Sequence, residues 1–178
     1  MAFNRRLAIF AVAIDRLTAA VGRAVMWCLI AMVLVQVTVV LMRYVFGAGS
    51  IWLGEAIVYA HATVFMAAAA WTLQRGGHVR VDIFYADAAP RTRAIVDLLG
   101  ALLLLLPFVA VLAWVSLPYV ARSWAILERS REASGLPLVF LLKTLIPLFA
   151  LLLGLQGIAQ ATRAWLTLAG SAPSDQAP

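Results

Sequence analysis

Charge is scarce in this sequence. Only 12% of its 178 residues are Asp, Glu, Lys or Arg, where a soluble domain carries roughly a quarter. So little polar surface cannot cover a globule in water, which makes lipid the solvent for much of the chain. Cysteine is nearly absent. The single Cys28 excludes an intrachain disulfide and reads as a small buried hydrophobe. With only two histidines beside it, His61 and His78, no zinc cluster can be assembled. No glycine-rich phosphate loop is present, since Lys143-Thr144 lacks the preceding glycines. No G-x-S-x-G elbow occurs. A haem held by two imidazoles needs them at matching depth, and His78 falls after the second apolar run has ended. The chain therefore reads as neither an enzyme nor a carrier of its own cofactor.

What is abundant is apolar, at 65% of residues. Four runs carry no Asp, Glu, Lys or Arg: Ala24 to Met42, Ala56 to Gln74, Leu98 to Ala121, and Thr144 to Thr162. About 19 helical residues rise about 28 Å, close to the roughly 30 Å hydrocarbon core. Backbone groups in lipid must be satisfied within the segment, so the runs are helices; barrel strands would alternate polar and apolar. The fold expected is an all-α membrane protein with four transmembrane helices. Residues 1–23, interrupted by Asp15, Arg16 and Arg23, form an amphipathic cytoplasmic lead-in; 24–168 form the membrane domain; 169–178 form a small, polar, disordered tail. Gly76-Gly77 should end helix two. Pro90 suits the first turn of helix three, and Pro107 and Pro147 each remove a backbone donor and should kink helices three and four. Val120 to Ala133 reads as an amphipathic interfacial extension of helix three.

The net charge of +6 sits in short clusters between the runs, with no basic stripe of the kind nucleic acid needs. Arg5, Arg6, Arg16 and Arg23 precede helix one; Arg75, Arg80, Arg91 and Arg93 follow helix two; Arg163 lies in the tail. The first loop holds only Arg43, and the basic residues of the third loop are accompanied by Glu128 and Glu132. This bias puts both termini on the cytoplasmic side.

Polar groups in or beside the runs are costly there and therefore informative. Gln36 lies within helix one, and Arg43 two turns later on the same face. Glu55 begins helix two, three residues after Trp52. Arg43 and Glu55 either pair across the first hairpin or reach separately into the headgroups. His61 is a helix-contact residue or a site facing a partner. Gln156 and Gln160, with small residues Ala150, Gly154, Gly157 and Ala161, suit close helix packing on helix four. No acid lies mid-membrane in helix one, as a proton-coupled four-helix exporter would need. Such an exporter and a membrane anchor for a redox complex are the alternative readings.

The order Arg43-Tyr44-Val45-Phe46, then Trp52 and Glu55, then Gly76-Gly77-His78-Val79-Arg80-Val81-Asp82 resembles the small membrane subunit of tripartite ATP-independent periplasmic (TRAP) transporters, the DctQ-type family. The resemblance spans about Arg23 to Trp165. It implies an accessory scaffold in the bacterial inner membrane, bound to a large DctM-type membrane subunit that holds the substrate and sodium sites. It also implies a periplasmic solute-binding protein that delivers an organic acid or related solute. The short stretch after helix four leads to the expectation that the large subunit is a separate chain. Arg43, Trp52, Glu55, His78, Arg80 and Asp82 are the candidates for subunit contact or helix-end organisation. Lipid is the remaining partner, and nucleic acid is not one.

Overall fold

A computed structural model describes residues 2–78, 85 and 87–170, and every element among them is helical. Helix α1 spans Ala2–Tyr44, α2 Ile51–Gln74, α3 Pro90–Leu99, α4 Leu106–Ala125 and α5 Val139–Leu168. A π-helical segment, Gly100–Leu105, joins α3 to α4, so Pro90–Ala125 is one continuous span. That span, with α1, α2 and α5, gives four helices long and apolar enough to cross a membrane.

The helix ends follow local chemistry. The Ser50 hydroxyl accepts from the Leu53 amide at 3.3 Å and starts α2. Gly76, at φ +65°, takes the left-handed position that closes α2, and Gly77 N–H returns to Thr72 C=O at 2.9 Å. Pro90 occupies the first turn of α3. Pro107 has no N–H to donate, and its ring crowds the carbonyl four residues back. The turns just before it are widened, with Leu106 N–H reaching Ala101 C=O.

Two stretches depart from the sequence expectation in extent. Helix α1 runs without a break through Arg23, and its 43 residues would reach about 65 Å, far beyond a bilayer core. Its buried positions Ala11, Ile14, Thr18 and Val25 recur at helical spacing, so the part before Arg23 packs on the bundle with the same face. After α4 the helix does not continue to Ala133. It closes at Ala125, with Glu128 N–H bonded to Ser123 C=O at 3.0 Å and Leu127 at φ +45°. A leucine in the left-handed region costs about 1 kcal/mol. Residues 126–138 are turns and irregular chain. The tail from Ser171 lies outside the described residues.

Helix α5 is the hub. It packs on α1, α2, α3, the π segment and α4, whereas among the described residues α1 and α2 do not pack on α4. This explains its small residues. Ala150, Gly154, Gly157, Ala159 and Ala161 are buried and let its neighbours come close. Gly22 does the same for α1 against α2: a Cβ there would strike the Trp71 ring. Outward faces are apolar, with Leu104 73% and Trp114 81% exposed.

Candidate functional site

The chain doubles back three times, so the N-terminal part of α1 lies beside the C-terminal ends of α2 and α5, and the other ends meet around the loop 126–138. Each end holds a polar cluster.

At the first end the centre is Gln156, fully buried on α5. Its carbonyl oxygen accepts from the Thr18 hydroxyl at 2.9 Å, and its amide donates to Asp15 Oδ1 at 3.0 Å. The other Asp15 oxygen accepts from Arg163 at 2.6 Å. From α2, the Gln74 amide donates to the Asp15 backbone carbonyl at 3.0 Å. Arg75 stacks over Trp71 at 5.1 Å. Three helices are fastened here by side-chain hydrogen bonds. Gln74 Oε1 and Trp71 Nε1 are buried without a hydrogen-bond partner among the described residues.

At the other end Glu55, on the first turns of α2, holds the loop. One carboxylate oxygen accepts from the Ser130 hydroxyl and the other from the Leu136 amide at 2.5 Å. Gly135 completes the fit, because a Cβ there would strike Ser130 and the Glu55 carboxylate. A second anchor is Glu128, which accepts from Ser123 at 2.7 Å and from Lys143 on α5. Lys143 lies 4.1 Å from the Tyr119 ring centre. Trp124 donates to Thr144 at 2.8 Å and packs edge-on to Phe140. The hydrogen bonds from Lys143 and then Ser123 hold the Glu128 carboxyl below its ordinary pKa of 4.5. The Tyr59 hydroxyl, one turn beyond Glu55, is buried without a hydrogen-bond partner among the described residues.

The sequence candidates do not gather in one place. Glu55 does not pair with Arg43; it organises the loop. Arg43 is exposed and makes no ion pair among the described residues. Trp52 is exposed at the start of α2. His78 is exposed at the opposite end, on the rim of a cavity of about 520 Å³ that also touches Leu73, Asp97 and Gln160. There the Tyr85 hydroxyl donates to Asp97 at 2.8 Å. Arg80 and Asp82 lie outside the described residues. Sequence reasoning treats Asp15 as an interruption and Arg163 as a tail charge, and so misses both. Their signal is present: Asp15 follows Ile14 and precedes Thr18 on a helical face, and Arg163 lies two turns after Gln156.

Across the apolar spans the threonines return their hydroxyls to their own helix, as Thr38 does to Leu34, Thr63 to Tyr59 and Thr162 to Ile158. Gln36 and His61 are exceptions. Both are exposed, and neither makes a hydrogen bond among the described residues. No group of three or more His, Cys, Asp or Glu side chains that could hold a metal occurs among the described residues. The arrangement is built to brace helices and shape a loop.

Residues 32–167 match the family model for tripartite ATP-independent periplasmic transporters, DctQ component. No individually curated protein and no solved structure matches the chain. The family match takes in the second part of α1 and nearly all of α2 to α5, and the chain belongs to the DctQ family, a component of TRAP transporters.

Proposed function

We propose that this multi-pass membrane chain is the small accessory subunit of a sodium-driven, binding-protein-dependent importer of an organic acid or related small solute. In this reading it is a scaffold held against a large DctM-type membrane subunit, and a periplasmic solute-binding protein delivers the substrate. The chain resides in the bacterial inner membrane with both termini cytoplasmic. Sodium and substrate sites belong to the large subunit, and no cofactor belongs to this one. The observation that carries the reading is the family match over residues 32–167. Two physical features support the scaffold role. The polar groups of the Gln156 cluster are bonded chiefly to one another, and wide apolar faces remain uncovered. Such a bundle is suited to bracing a neighbour rather than to passing an ion.

Among the candidate residues, Arg43, Trp52, His78, Arg80 and Asp82 are assigned to subunit contact or helix ends, and Glu55 to shaping the loop a partner would meet. Co-reconstitution of this chain with the large subunit and the binding protein should give sodium-dependent uptake that is lost when this chain is omitted. Alone in liposomes it should move nothing; unaided transport would end the scaffold reading. Glu55→Ala or Asp82→Ala should lower complex recovery or uptake without changing the binding protein's affinity for solute. Normal yield and uptake in both variants would remove these residues from the candidates.

A further inference from the structure

Gln36 and His61 line one shallow groove between α1 and α2, of about 300 Å³, with Met32, Val33, Val37 and Ile57 as its apolar walls. His61 lies about 15 Å along α2 from its start, and Gln36 about 10 Å along α1 from Arg43. At that depth neither side chain is long enough to reach the headgroups as a lysine or arginine would. Acyl chains offer no donor or acceptor, so an amide and an imidazole left against them stay unsatisfied. The opposite side of the bundle differs. On the π segment and α4, the exposed Leu103, Leu104, Val111 and Val115 present only hydrocarbon, as a lipid-facing surface should. The groove is continued by exposed apolar residues at helical spacing: Val58 and Phe65 flank His61 on α2, and Val40 follows Gln36 and Val37 on α1. An apolar stripe with two unpaired polar groups at its centre has the composition of a helix-packing face within a membrane.

We infer that the groove at Gln36 and His61 receives a transmembrane helix of the large subunit, which presents a hydrogen-bonding side chain at that depth. The inference rests on the accessory-subunit reading and adds the face and the chemistry of contact. What covers this groove must supply both apolar knobs and at least one donor or acceptor, which a lipid tail cannot.

The test uses the co-expressed complex in membranes. A photoreactive benzoylphenylalanine is placed at Val33 or Phe65, beside the groove, and at Leu104 on the opposite face. The expected result is adducts with the large subunit from Val33 and Phe65 and none from Leu104. In parallel, the double substitution Gln36→Leu, His61→Leu should lower recovery of the large subunit with the tagged chain about tenfold, from two interhelical hydrogen bonds of modest strength. His61→Gln, which keeps a hydrogen-bonding group, should restore part of that recovery when Gln36 is left in place. Adducts only with lipid or with a second copy of this chain would overturn the inference, as would undiminished recovery of the double variant. Retention of the large subunit with adducts from Leu104 alone would sink this inference and leave the accessory reading standing. Failure of the unsubstituted chain to retain the large subunit would sink both. The photoreactive variants keep Gln36 and His61, so the crosslinking result holds even where the double variant fails to fold.

Discussion

The two ends of the bundle use side-chain hydrogen bonds for different purposes. At the Asp15 end the partners come from α1, α2 and α5, far apart in sequence, and the central group is a fully buried glutamine. At the Glu55 end a helix carboxylate reaches the irregular chain between α4 and α5, and a carboxylate of that chain, Glu128, reaches back to Ser123 on α4 and Lys143 on α5. The first cluster decides how helices cross. The second decides the shape of a connection that lacks regular structure. A membrane bundle gains little from hydrophobic attraction between helices already in lipid, so polar ties at its ends carry weight that a soluble core would not require of them.

The comparison is broken most directly at Gln156. Gln156→Leu keeps the volume but strands the Thr18 hydroxyl and half of the Asp15 carboxylate, a cost of about 2–4 kcal/mol. It should lower the melting temperature of the whole chain in detergent; an unchanged melting curve would show that the Asp15 end does not fasten the bundle. Glu55→Ala removes two acceptors, at about 1–3 kcal/mol, but locally. Amide exchange should rise in residues 130–136, with little change in α1 or in global melting. Global unfolding instead would erase the distinction between the ends.

Acid sharpens the contrast further. The Glu128 pKa is depressed by Lys143 and Ser123. Its contribution is therefore complete above the ordinary glutamate value of 4.5 and is lost as the pH falls below it, through the depressed value. Exchange in the loop around Glu128 should accelerate in that acid range, and Glu128→Gln should flatten the pH response. Arg43 should matter least to folding. Arg43→Gln should change stability by no more than about 0.5 kcal/mol, and exchanging the charges of Arg43 and Glu55 should give no mutual rescue. Rescue would restore the hairpin pair that the structure lacks.

Much of the fold was legible in order. The four charge-free runs located the spans, Gly76-Gly77 located the end of α2, and Pro107 marked the disturbed turns. The end of α4 was not legible, because Leu127 takes a left-handed conformation that sequence assigns to glycine. The extension expected to Ala133 looked amphipathic because its charges include Glu128, whose partner Lys143 only the folded chain supplies. Of the candidate residues, Glu55 lies in a cluster. Its partners Ser130 and Leu136 are distant in sequence and carry no spacing signal.

By itself the sequence determined that this chain lives in lipid and crosses it four times, since backbone groups without water must close their bonds within each apolar run. It also held the order of residues that carries the family resemblance. Only the tertiary structure decided that α5 is the hub, that Asp15 and Arg163 belong together, and that Gln36 and His61 are left unpaired on an open face. Those are properties of pairs of helices, and the side chains that fix a crossing come from positions whose separation along the chain says nothing of their distance in space.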